Sequence, residues 1–174
     1  MIHTLHYFTS LIATILGLYE PFGKRMQTIL TLNFLGNLFV GISYLLVTRY
    51  SGAAICFTAC VQVLINYCYE RKNKKLPTFL LILHLLAFLT VNLVTFIFLY
   101  DILALIASVL YVLSVAQSSA KYYRVFYVTN SLVWIFYDLL AGAYGNLFTH
   151  VVLFAVTMVA IFVRDLKAKH YIGN

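Results

Sequence analysis

Charge is what this sequence has least of. Only 10% of its 174 residues are charged, while 63% are hydrophobic; a soluble domain carries about a quarter charged residues. There is too little polar surface to coat a globule in water, and a multi-pass integral membrane protein is the class left. Acidic side chains number five (Glu20, Glu70, Asp101, Asp138 and Asp165), four of them at the ends of apolar runs. With scattered histidines they form no set of nucleophile, base and metal ligand such as a membrane-embedded enzyme needs, so no enzymatic activity is expected. The three cysteines, Cys56, Cys60 and Cys68, make no Cys-x-x-Cys pair and no metal-site spacing with histidine. They read as small hydrophobes packed in a helix; no disulfide, metal or cofactor is implied. The prolines are two, Pro21 and Pro77. No basic region precedes the first apolar run and no small-residue cleavage site follows it, so that run is expected to stay as a span.

What is present in quantity is long apolar runs. Seven candidate spans cover residues 4–19, 26–48, 52–69, 77–99, 102–117, 125–141 and 146–163. A helix crossing the hydrocarbon needs roughly 20 residues, with about 17 tolerated. Barrel strands would alternate apolar and polar residues, and these runs are continuous. The division near Asp101 needs an argument. One helix over residues 77–117 would be about 60 Å long, twice the bilayer, with a carboxylate near its middle. Two helices joined by a tight turn are expected.

With seven spans and the N-terminus outside, eleven of the twelve basic residues fall on one side. Lys24 and Arg25 follow span one, Arg71, Lys72, Lys74 and Lys75 span three, Lys121 and Arg124 span five, and Arg164, Lys167 and Lys169 span seven. Arg49 alone lies opposite. Cytoplasmic segments gather lysine and arginine in this lopsided way, so the C-terminus is expected inside. The net charge of +7 then belongs to a cytoplasmic face that suits anionic lipid headgroups. No basic soluble face exists for nucleic acid. Tyrosines at span ends (Tyr19, Tyr50, Tyr69, Tyr100, Tyr144) suit interfacial anchoring.

The chain also echoes itself. Asn37-Leu-Phe-Val-Gly41-Ile-Ser-Tyr44, followed by Gly52, returns as Asn130-Ser-Leu-Val-Trp134-Ile-Phe-Tyr137-Asp138, followed by Gly145. The offset is 93 throughout (130 − 37, 137 − 44, 145 − 52). Self-similarity at a fixed period points to a duplicated unit. Span two falls on span six and span three on span seven, which pairs one with five and leaves span four over. The expected organisation is a three-helix unit in residues 1–75, a linker helix in 76–100 and a second unit in 101–174. Because each unit crosses an odd number of times, the single linker gives both the same orientation. Parallel repeats of this kind are a transporter design with the substrate between them near the midplane.

Residues Arg124…Trp134-Ile-Phe-Tyr137-Asp-Leu-Leu-Ala-Gly142-Ala-Tyr144-Gly145, with Arg164 after the last span, resemble bacterial inner-membrane proteins of the YgjV type. So does the first unit, with Gln27 opening span two and Tyr44-Leu-Leu46 closing it. That family is similar in plan to SWEET sugar transporters, PQ-loop proteins and nicotinamide-riboside transporters. The resemblance implies a bacterial inner-membrane location, a 3+1+3 bundle and, by analogy only, passive passage of a small polar solute such as a sugar, nucleoside or vitamin. It does not carry over a gate: those relatives have a proline in each repeat helix or a Pro-Gln pair, and this sequence has neither.

Spacings of three and four put Asn33, Asn37, Gly41, Tyr44 and Thr48 on one face of span two, and Asn130, Trp134 and Tyr137 on one face of span six. Thr58, Gln62 and Asn66 do the same in span three, without a counterpart in span seven. The substrate-cavity candidates are therefore Asn37, Tyr44, Gln62, Asn66, Asn130, Trp134 and Tyr137. The competing reading is that amides and small residues join helices to one another. Asp138, expected about a turn from the outer end and within reach of water, is matched with Arg49 as an outer gate. His84 is expected to pack the linker helix; His150 has no acidic partner in its own span. Two functions follow. One is a small-solute carrier; the other is a non-transporting structural or regulatory subunit, favoured if the polar stripes face outward. A homo-oligomer stays open.

Overall fold

The computed structural model describes residues 2–166, with side chains for residues 4–165; Lys167 and Lys169 of the charge pattern lie outside the described residues. Among those described there are seven α-helices and no strand: α1 Ile2–Tyr19, α2 Met26–Leu46, α3 Tyr50–Arg71, α4 Thr78–Thr95, α5 Asp101–Val115, α6 Ala120–Ala141 and α7 Tyr144–Ala160. A 3-10 turn, Glu20–Phe22, follows α1, and a π-helical turn, Ile161–Leu166, extends α7. Four helices, Met26–Leu46, Tyr50–Arg71, Thr78–Thr95 and Tyr144–Asp165, are long and apolar enough to cross a membrane; Asp101–Val115 is apolar but shorter.

The turns are closed by local chemistry. After α6, Gly142 takes the left-handed conformation (φ 69°), and the Ala143 N–H returns to the Asp138 carbonyl at 3.0 Å, a helix stop that favours glycine. After α2 the same closure runs from the Arg49 N–H to the Tyr44 carbonyl at 2.9 Å, with Thr48 at φ 57°. Between α4 and α5, one Asp101 carboxylate oxygen accepts the backbone N–H groups of Ile97 and Phe98, both at 2.9 Å. A charge too costly for mid-helix thus orders the expected break.

Short connections make consecutive helices antiparallel neighbours. α2 packs on α1 and α3, α6 on α5 and α7; α1 also lies against α7, and α3 against α5. α4 packs chiefly on α3 and α5, and its buried face is narrow: His84, Phe88 and Asn92. The polarity is inverted relative to a soluble bundle. Outward lie Phe79, Leu93, Val94 and Leu99, the last 83% exposed, while His6, Ser10, Asn33, Asn130, Asp138 and Asn146 are buried. That is the arrangement a bilayer demands, since hydrocarbon cannot satisfy a polar group. Connections α1–α2, α3–α4 and α5–α6 meet at one end, where Lys24, Arg25, Glu70, Asn73 and Ser118 line a common hollow; we call it the basic end.

Candidate functional site

Every helix except α4 contributes to the wall of an interior cavity of about 40 Å³, space for a few waters. From α2 come Asn33, Gly36 and Asn37; from α6, Tyr127, Asn130 and Trp134; from α7, Thr149 and His150. Gly36 opens the wall: a methyl there would meet nothing within 4 Å.

The α2 wall is an amide–phenol cluster. Tyr111 donates to Asn33 Oδ1 at 2.5 Å, and the Asn37 amide nitrogen reaches the Asn33 carbonyl and Oδ1, both at 2.9 Å, and the Tyr111 oxygen at 3.1 Å. Across the cavity, Asn130 donates to the Ala107 carbonyl of α5 at 2.6 Å. Trp134 stacks on His150, centroids 5.6 Å apart and planes 11° apart, and meets Tyr137 edge-on at 5.1 Å.

Behind the tryptophan stands a carboxylate–imidazole pair. Asp138 is fully buried; its Oδ2 lies 2.6 Å from His150 Nδ1, and Tyr44 donates to its Oδ1 at 2.5 Å. Both carboxylate oxygens of Asp138 are thus engaged, and His150 itself lines the cavity.

At the other pole lies Glu20, just past α1 and outside its span. Its carboxylate accepts from Asn33 Nδ2 at 2.8 Å, from the Tyr123 hydroxyl and, at 3.5 Å, from Tyr127. Burial pushes its pKa from the ordinary 4.5 up to about 7, against the opposing pull of bonds from Tyr123, Asn33 and Tyr127. Beyond it Arg124 closes the basic end: Nε donates to the Pro21 carbonyl at 2.7 Å, and Nη1 pairs with Asp165 at 2.8 Å.

A third polar group holds α1 to its neighbours. Ser10 bonds Ser43 of α2 at 2.6 Å and Asn146 of α7 at 2.9 Å, and Thr14 meets Thr149 at 2.8 Å. Gly145 permits this approach, since a Cβ there would lie 2.7 Å from His6 Nε2. These contacts join helices, as membrane bundles require.

Of the residues singled out in the sequence, Asn37, Asn130 and Trp134 converge on the cavity. Tyr44 and Tyr137 do not line it; they pack behind Trp134 as buried rings. Nor do Gln62 and Asn66. Asn66 donates to the Val115 carbonyl of α5 at 3.0 Å, and Gln62 is buried away from the cavity with no hydrogen bond to its amide. The Arg49–Asp138 gate is corrected. Asp138 is sealed from water by Tyr44 and His150, while Arg49 lies by Gly142, a Cβ there falling 4.0 Å from its Nη2. A guanidinium at that helix end complements the α6 dipole. His150, in turn, has its acidic partner on the adjacent helix. Glu20, Tyr111 and Tyr127 are the site residues that sequence reasoning missed.

An all-helical bundle with an apolar exterior, membrane-length helices and buried polar side chains around an interior cavity is an integral membrane protein. More particularly, the chain belongs to the YgjV family of bacterial inner membrane proteins, whose family model matches residues 4–168. The bacterial inner membrane is thus its location. No curated protein and no solved structure matches the chain.

Proposed function

We propose that the protein carries a small polar solute across the inner membrane by alternating access, with α1–α3 and α5–α7 as the two moving units and α4 as the linker. The observation that carries this reading is the cavity wall: Asn37 of one unit faces Asn130 and Trp134 of the other across space that neither fills. A bundle built only for packing has every reason to close such a void, because voids forfeit contact energy. The polar stripes of α2 and α6 turn inward, which disfavours the structural-subunit alternative.

The two-unit organisation has its own support. The offset of 93 residues that relates Asn37 to Asn130 (130 − 37) maps the α1–α7 packing onto α5–α3, and both are present. The gathering of basic residues at one end supports an outside N-terminus and a cytoplasmic C-terminus. In this frame the solute is closed off on the cytoplasmic side by Glu20, Tyr123 and Arg124, and on the outer side by Trp134, Tyr44 and the Asp138–His150 pair. The test is uptake of sugars, nucleosides, vitamins and small amines into proteoliposomes, with Asn130→Ala beside the native chain. Uptake of one class that Asn130→Ala lowers supports the carrier; uptake of none, in either orientation of the vesicles, overturns it.

A further inference from the structure

Glu20 is a buried carboxylate facing the cavity with no cation of its own. The ion pairs Arg124–Asp165 and His150–Asp138 do not include it. The groups that surround Glu20 can be taken element by element. α2 offers Asn33, an amide. α5 offers the phenol of Tyr111, held on Asn33. α6 offers the phenols of Tyr123 and Tyr127 and the guanidinium of Arg124, whose bonds go to the Pro21 and Gly23 carbonyls and to Asp165. On its own connection, Lys24 and Arg25 line the separate hollow at the basic end. α3 adds the Cys56 thiol to the cavity wall and α7 adds His150. No lysine or arginine lines the cavity.

A buried ionised carboxylate is costly even when hydrogen-bonded, and a proton or a counter-cation removes that cost. The cavity supplies surfaces for the second choice, since the rings of Tyr111, Tyr127 and Trp134 line it together with Glu20. Aromatic faces attract desolvated organic cations. A proton and a cation neutralise the same carboxylate, so each excludes the other.

We propose that the cavity is a proton–cation exchange site, in which the Glu20 carboxylate binds a small organic ammonium on one half of the cycle and a proton on the other. The inference rests on the carrier reading and names its substrate class. Binding is balanced as an exchange: the protonated carboxyl gives its proton to water as the ammonium enters, and the carboxylate recovers one when the ammonium leaves. The solute therefore moves against protons, and binding strengthens as pH rises. With the Glu20 carboxyl titrating near 7, competition makes the apparent Kd about 100-fold weaker at pH 5 than at pH 8.5.

Trp134, the single tryptophan, reports occupancy directly. The purified protein is titrated with methylammonium and with tetramethylammonium between pH 5 and 8.5, following tryptophan fluorescence and, in weakly buffered solution at pH 6, proton release. The expected result is saturable quenching whose Kd falls about 100-fold over that range, with close to one proton released per cation bound. Glu20→Gln loses the pH dependence and the proton release, while Glu20→Asp retains both. A Kd independent of pH in the native chain, no proton release, or unchanged behaviour in Glu20→Gln overturns the proposal; the native titration alone decides this should the variants misfold. If neither ammonium binds but Asn130-dependent uptake of a neutral solute is found, the exchange site falls and the carrier stands. If nothing binds and nothing is taken up, both fall.

Discussion

Replacing Glu20 by glutamine is the perturbation whose effect the structure sizes best. Below pH 4.5 the carboxyl is protonated in both the folded and the unfolded chain, so its burial costs nothing beyond that of any neutral group. As pH rises, the unfolded chain ionises first, while the folded one holds its proton until about pH 7. Stability is therefore lost through the window from 4.5 to about 7, and above it the fold carries the full cost, on the order of 3 kcal/mol. Glutamine keeps the shape and one acceptor for Asn33 and Tyr123. Its extra N–H groups cost about 1 kcal/mol if poorly paired, but equally at both ends of the pH range. The readout is consequently a difference. Relative to the native chain, Glu20→Gln should gain about 3 kcal/mol between pH 4.5 and pH 8. At about 2–4 °C per kcal/mol for a chain of this size, that is on the order of 6–12 °C in Tm, followed by Trp134 fluorescence in detergent. An equal effect of the substitution at the two pH values would refute the reasoning, because it would mean that the carboxyl is solvated in the fold.

Three further outcomes follow from the packing. Gly36→Leu, placed where a Cβ meets nothing within 4 Å, should leave Tm unchanged or slightly raised while abolishing solute uptake; unimpaired uptake would move the path elsewhere. Gly145→Ala should instead lower stability by about 1–3 kcal/mol, measured by thermal unfolding, because its Cβ would sit 2.7 Å from His6 Nε2 and 2.8 Å from Ser10 Oγ. Arg124→Ala leaves Asp165 without its partner in a pair whose side chains are only 5% and 8% exposed, and should cost about 3–5 kcal/mol; adding Asp165→Ala should cost less than its effect alone, as a double-mutant cycle will show.

The parts legible in the sequence are those that a single helix or a length argument determines. The break before Asp101 was readable because one helix would have been too long, and its carboxylate does close that turn. The stripe at Asn37 and its echo at Asn130 were readable from spacing and offset, and both reach the cavity. Spacing does not tell which neighbour a face will meet. Asn66 shares its face with Gln62 as expected, but that face packs away from the cavity, with Asn66 on α5. Glu20 was hidden for a different reason. A carboxylate in a connection beside Lys24 and Arg25 reads as solvated, and the groups that bury it, Tyr123 and Tyr127, lie more than 100 residues away in the chain. Charge matching drew Asp138 to Arg49, the one basic residue expected on that side. The hairpin of α6 and α7 offered a better partner, His150, twelve residues on.

Alternating access requires the cavity to open to each side of the membrane in turn. In a chain with Cys56, Cys60 and Cys68 replaced by alanine, a single cysteine is introduced as Asn130→Cys and treated with a membrane-impermeant thiol reagent, in right-side-out and in inside-out vesicles. Alternating access predicts modification from both sides, each slowed by a bound solute. Modification from neither side, while an exposed control cysteine at Tyr50 or Lys72 reacts from its own face, would contradict it.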